Sequence, residues 1–204
     1  SVEEAVGALS ARPWVVLAGG TDHYPARVGP RPAEDILDIS RIGGLRGIAE
    51  TEQGWRIGAL TTWTDVIEAP LPPLFDGLKL AAREVGGVQI QNRGTVGGNL
   101  CNASPAADGV PPLLSLDAEI ELASTSGTRR LKLADFVQGN RRTARRADEL
   151  VTAIHLPAAD GWKATYHKLR RRGAFDFPVL GVAACVRFDA IKESGVPIVN
   201  SARL

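Results

Sequence analysis

The sequence predicts an α+β fold that opens with a small α/β unit. Three observations carry this. The first fifty or so residues read helix, strand, glycine turn, strand, which suits a parallel α/β unit. From Trp55 the pattern changes, and a hairpin with strict apolar–polar alternation follows further on. After Pro157 two more strands are legible, the second of them strongly apolar.

Each element has its own signal. Ser1 followed by Glu4 has the capping-box form, and Val2, Ala5, Val6 and Leu9 then share one helical face. Arg12-Pro13 ends that helix. Trp14 to Leu17 is a short apolar run, the mark of a buried strand, and it enters the turn Ala18-Gly19-Gly20-Thr21-Asp22. Pro25, Pro30 and Pro32 bracket a loop, and Asp35 to Ile39 reads as a second strand. Thr62 precedes a short helix, Trp63 to Glu68, which Pro70, Pro72 and Pro73 interrupt. Leu74, Leu78, Ala81, Ala82 and Val85 fall at helical spacing and stop at Gly86-Gly87. Val110 to Leu116 is a short apolar helix. Ala118 to Leu122 and Arg129 to Leu133 form a hairpin about a turn at Ser124 to Gly127. The run Arg141, Arg142, Arg145, Arg146 reads as a solvated helix face, with a partner-binding surface as the alternative. Leu150 to Leu156, Trp162 to Leu169 and Leu180 to Phe188 are strands, the last central in a closing sheet. Val199 to Leu204 reads as a strand entering further structure. That ending, the start at Ser1 and the absence of Met are expected of a fragment.

The stretch from Asn92 to Asp108 stands out. It holds three glycines, three asparagines, a Thr and a Ser, and it ends on a carboxylate. Glycine lets a backbone come close to a ligand, and successive N–H groups in such a loop make an anion-binding concavity without a lysine. That suits a diphosphate, with Asp108 placed to hold the hydroxyls of a ribose or similar polyol. A glycine-rich surface turn is the alternative; length and polar density weigh against it. The turn Ala18 to Asp22 is a second candidate phosphate cradle or a purely structural turn. It is neither a G-x-G-x-x-G fingerprint nor a Walker A loop.

Composition narrows the classes. Hydrophobic residues make up 44% and charged residues 23% of the chain, as in an ordinary globular protein, and a net charge of +1 asks for neither nucleic acid nor an anionic membrane. Cys101 and Cys185 lie too far apart for a CxxC pair and suggest no disulfide framework, zinc site or cluster. No run reaches membrane-spanning length and no signal peptide opens the chain, so a reducing, cytoplasmic setting is expected. Three units are expected: residues 1–50, a small α/β unit; 51–157, mixed and mostly antiparallel; and 158–204, the incomplete start of an α+β unit. The two glycine turns fall in different units, so a ligand held by both would sit in the cleft between them.

Several of these segments together resemble a known family. Leu17 to Asp22, Ile36 to Ile39, Ile57 to Thr62, Arg93 to Asp108, Tyr166-His167-Lys168 and Arg171 to Asp176 look like the FAD-binding medium subunit or domain of the xanthine dehydrogenase and carbon monoxide dehydrogenase family, the molybdenum hydroxylases. The resemblance covers nearly the whole chain. It implies a two-subdomain FAD-binding fold of the molybdopterin dehydrogenase flavoprotein type, followed by a truncated C-terminal subdomain. It also implies an oxidoreductase complex in which substrate is oxidised at molybdenum on a large molybdopterin-binding subunit. Electrons then pass through the 2Fe–2S clusters of an iron–sulfur subunit to FAD, and on to NAD or another acceptor.

On that resemblance Val16, Leu17, Ala18, Gly19, Gly20 and Thr21 would cradle the diphosphate with backbone N–H groups. Thr95, Gly97, Gly98 and Asn99 would form the opposite wall. Ser104 and Asp108 would hold ribose or ribityl hydroxyls. Lys168 corresponds to a family lysine near the flavin ring, where its charge would favour the anionic reduced form. Val151 would pack by the isoalloxazine and Val85 on the adenine side. His23 departs from the family's usual aliphatic residue.

Taken singly, these residues have plainer explanations. Lys168 on a strand reads as a surface lysine, and Asp108 as the N-cap of the helix from Val110. Cys101 reads as a small packed residue. His23, His155 and His167 lack metal-ligand spacing, and no acid pair or Ser–His–Asp triad is legible, so no catalytic or metal-binding residue is expected. Two rival functions share the glycine turns: a stand-alone FAD oxidoreductase of the same fold, and a non-catalytic nucleotide-binding or assembly module.

Overall fold

A computed structural model describes residues 1–27, 29, 34–173, 176–188 and 199–204. Pro30 and Pro32 of the expected loop, and Ala174 and Phe175 of the Arg171–Asp176 motif, lie outside the described residues.

Helix α1 (Val2–Ala11) carries the expected Ser1–Glu4 capping box and buries Ala5, Val6 and Leu9. Strands β1 (Val15–Leu17) and β2 (Ile36–Asp38) pair in parallel, with Val16 opposite Leu37. Hairpin strands β3 (Ile48–Thr51) and β4 (Gly54–Gly58) lead to α2 (Trp63–Glu68), which Thr62 and Asp65 cap reciprocally. Pro73 opens a single 3-10 turn, and α3 (Asp76–Glu84) follows, ending at Val85. Then come three short helices, α4 (Val88–Gln91), α5 (Val96–Asn102) and α6 (Val110–Ser115). The hairpin β5 (Glu119–Ser124) and β6 (Gly127–Lys132) turns where expected, with Ser124 opposite Gly127. After α7 (Leu133–Phe136) come the short strands β7 (Val137–Gly139) and β8 (Arg142–Thr143). Strands β9 (Leu150–Pro157), β10 (Trp162–Leu169), β11 (Leu180–Phe188) and β12 (Val199–Arg203) complete the described chain.

The strands form a five-stranded antiparallel sheet in the order β3-β4-β9-β5-β6 and a three-stranded one in the order β10-β11-β12, in which β11 is central as expected. The largest core lies between the two. Ile57, Ile120, Leu122, Val151 and Ile154 of the larger sheet meet Trp63, Phe75, Leu78, Val96, Leu100 and Leu113 of the helices, and Ala164 and Cys185 of the smaller sheet. A second core joins α1 to Ile39, Leu45, Leu60 and Leu150.

Two readings are corrected. The Asn92–Asp108 stretch is not one open loop. Thr95 caps α5, its Oγ1 accepting from Gly98 N at 3.0 Å, so the two glycines lie inside a helix. Helix propensity is overruled by packing, because a Cβ at Gly97 would stand 2.7 Å from the Cβ and carbonyl oxygen of Ala59. The arginine run is no helix face either. Arg142 lies on β8, Arg141 takes a left-handed backbone at φ 56°, and Arg145 donates to the Glu149 carbonyl at 2.7 Å. Glu149 organises that segment: its buried carboxylate accepts two bonds from Arg129 and one from Arg146 N.

The Ala59–Trp63 segment joins the halves of the structure. It pairs with Gly94–Gly97 through Trp63 N to Gly94 O, Val96 N to Thr61 O and Gly97 N to Ala59 O. The first glycine turn leans on the start of the partner segment, because a Cβ at Gly19 would lie only 1.9 Å from Arg93 O and 3.2 Å from Gly94 Cα.

Two stability predictions follow from this packing. Gly19→Ala should cost about 3 kcal/mol, since backbone rather than a movable side chain blocks the new methyl; urea midpoints measure it. The Arg129 hydrogen bonds hold Glu149 below the ordinary carboxylate range. Its stabilisation is therefore complete above the unfolded value and is lost as pH falls through the lower folded one. Glu149→Gln should cost about 2 kcal/mol at neutral pH and remove that part of the acid loss, read from urea unfolding between about pH 7 and pH 3.

Candidate functional site

The two glycine turns, which meet at Gly19, both line a cavity of about 910 Å³, at the upper end of the size range of ligand sites. Every residue singled out from the sequence for cofactor binding lines it. Val16, Leu17, Ala18, Gly19, Gly20 and Thr21 come from β1 and its turn, and Thr95, Gly97, Gly98 and Asn99 from α5 and its cap. Ser104 and Asp108 follow α5, Val151 lies on β9 and Lys168 on β10. Val85 and His23 line it as well.

The two turns offer different chemistry. Among the described residues, none of the backbone N–H groups from Ala18 to His23 donates to another described residue. A row of free amides along a cavity wall is what an anionic group requires. The α5 wall does not repeat this. Val96, Gly97, Gly98 and Asn99 all donate inside the protein, so the concavity of free N–H groups expected there is absent. What that wall presents is a side chain: Asn99 Oδ1 is buried without a hydrogen-bond partner, a state that costs free energy unless a ligand satisfies it. Ser104 Oγ accepts from Ala106 N at 3.2 Å, which leaves its O–H free to donate.

Asp108 is not the cap of α6. Gly109 holds that position and no side chain caps the helix. The Asp108 carboxylate is buried, accepting from Tyr166 Oη at 2.8 Å and Lys168 Nζ at 2.9 Å. Strand alternation explains the lysine: His167 is exposed, whereas the Lys168 side chain is 5% exposed and turned inward. A cation so buried is held by its pairing with Asp108. Cys101 lines the cavity and keeps some exposed surface, yet burial of its thiol pushes it up to about 11, as expected of a packed rather than a reactive cysteine.

Sequence reasoning missed Tyr166 as a partner of Asp108, although its place two residues before Lys168 puts both on one face of β10. It also missed Glu84, Arg141 and Arg145 at the cavity wall. Glu84 comes from the end of α3, and no local pattern ties it to residues far along the chain. Among the described residues no cluster of three or more His, Cys, Asp or Glu could hold a metal, and no helix is long and apolar enough to cross a membrane.

The free amides, the unpartnered Asn99 oxygen, and the buried carboxylate and ammonium suit a molecule with a diphosphate and a hydroxyl-bearing chain, as FAD is. Comparisons with known proteins agree. The family described as "FAD binding domain in molybdopterin dehydrogenase" matches residues 1–159. The nicotinate dehydrogenase FAD-subunit of Eubacterium barkeri is 36% identical over 199 residues, 93% of this chain and 67% of that protein. The glyceraldehyde dehydrogenase medium chain of Sulfolobus acidocaldarius is 36% identical over 177 residues, 84% of this chain and 61% of that protein. A solved carbon monoxide dehydrogenase from Hydrogenophaga pseudoflava superposes with a TM-score of 0.85 at 31% identity, covering 100% of this chain and 70% of the matched one. This chain thus spans about two thirds of the length of these relatives. It belongs to the FAD-binding domain family of the molybdopterin dehydrogenases, the flavin subunits of molybdenum hydroxylases.

Proposed function

We propose that the chain holds FAD in this cavity as the electron-transfer subunit of a molybdenum hydroxylase. In this reading it takes electrons from the 2Fe–2S clusters of an iron–sulfur subunit and delivers them to NAD or another acceptor. Substrate is oxidised on a molybdopterin-binding large subunit. The observation that carries the cofactor assignment is the row of free amides from Ala18 to His23. The relatives' descriptions as FAD-subunits and medium chains support the partners.

The chain's own residues have distinct tasks in this reading. The amides of Ala18 to Thr21 bind the diphosphate, and the Gly19–Arg93 contact keeps their spacing. Asn99 and Ser104 hold polar groups along the α5 wall. Asp108 accepts hydroxyls of the ribityl or ribose chain. Val151 packs against an apolar ring, and Lys168 keeps a positive charge near it. When bound, FAD supplies the step that turns single electrons from clusters into a two-electron hydride transfer. We also infer that residues 1–50, 51–157 and 158–204 act as three units, with the cofactor held by all three.

The test is the visible absorption spectrum of the purified chain, with the cofactor released by heat and identified by chromatography. FAD is the expected result. A colourless protein that also refuses added FAD would count against the reading. Asp108→Ala should weaken FAD binding about tenfold or more, through loss of charge-assisted hydrogen bonds. Gly98→Val should weaken it too, because its Cβ would stand 2.7 Å from the Thr95 oxygen that caps α5. Equilibrium titration with FAD measures both, and unchanged affinity in both variants would remove the site assignment.

A further inference from the structure

Tyr166 is 6% exposed and is not among the residues lining the cavity; it meets the site through Asp108. Its hydroxyl donates to Asp108 Oδ1 at 2.8 Å. The Lys168 ammonium donates to Oδ2 at 2.9 Å and to the Glu84 carbonyl at 3.4 Å. Tyr166 and Lys168 stand two apart on β10 and so project from the same face. The neighbouring strand is shaped to this hydroxyl. Lys168 pairs across the sheet with Gly181, and a Cβ at Gly181 would lie 2.8 Å from Tyr166 Oη. Burial, and then the hydrogen bond and charge of Asp108, push the tyrosine above the ordinary phenol range, so it keeps its proton and remains a donor.

We propose that Tyr166 is a positioning residue for the bound cofactor: with Lys168 it clamps the two oxygens of Asp108 separately and fixes the carboxylate in the orientation that receives a ligand hydroxyl. This rests on the FAD reading above. A carboxylate held at one oxygen can turn about its Cβ–Cγ bond, whereas one held at both cannot. Each oxygen still has a lone pair for the ligand. Removing the tyrosine hydroxyl frees that rotation and leaves Oδ1 buried without its donor.

The experiment is a double-mutant cycle on FAD affinity in the purified chain, read by the change in flavin fluorescence on binding. Tyr166→Phe should weaken FAD binding about tenfold. In an Asp108→Ala background the same change should alter affinity by less than about twofold, because the tyrosine acts only through the carboxylate. Gly181→Ala, which crowds the hydroxyl, should weaken binding in the wild-type chain and have no effect once Tyr166→Phe has removed the oxygen. Equal losses with and without Asp108 would mark a general packing role and overturn the proposal, as would wild-type affinity in Tyr166→Phe. Should Tyr166→Phe fail to fold, Gly181→Ala alone decides, and unchanged affinity there sinks the proposal. A wild-type chain that takes up no FAD would defeat the FAD reading itself, an outcome distinct from any loss confined to the variants.

Discussion

The close meeting of three backbone segments is the constraint on which the site depends. Ala59–Trp63 pairs with Gly94–Gly97, and Gly19 sits against the Arg93 carbonyl with no room for a Cβ. Packing at this density leaves little slack, so the turn after β1 and the helix α5 hold one relative position. Trp63, Val96 and Leu100 bury the underside of the junction in the main core. Backbone contact, backed by hydrophobic burial, thus holds the two walls together, while hydrogen bonding sets the chemistry of the cavity.

That chemistry is divided between backbone and side chains. The turn from Ala18 to His23 leaves its amides free, whereas α5 uses its first amides on Thr61, Ala59 and Thr95. Another part of the lining carries charge, with Asp108 and Lys168 both nearly removed from solvent. A buried pair of this kind is weak evidence for stability, since desolvation offsets its attraction. Its place at a cavity wall, with the tyrosine behind the carboxylate, accords better with a role in recognition.

Local signals were read well where local physics decides. The capping residues Ser1 and Thr62, the helix stop before Gly86 and the Ser124–Gly127 turn all act within a few residues, and each stands where the pattern puts it. Where distant contacts decide, local reading failed. The pair Gly97-Gly98 reads as loop by propensity, yet Ala59 packs so close that a helix there needs glycine. Asp108 reads as a cap, yet Tyr166 and Lys168, about sixty residues on, offer stronger donors. The arginine run reads as a solvated helix, yet Glu149, anchored to Arg129 of β6, draws Arg145 and the Arg146 amide into an irregular segment.

The sequence by itself determined the class of fold, most of its longer elements, the family and a set of residues that line one cavity. Capping, alternation and glycine-rich turns are properties of neighbouring residues, and the motifs are long enough to be specific. Only the tertiary structure decided which glycine turn keeps its amides free, which way Asp108 faces, and that Tyr166 stands behind it. Those outcomes come from backbone atoms meeting across the fold. Steric exclusion and hydrogen-bond competition between distant segments leave no trace in local pattern.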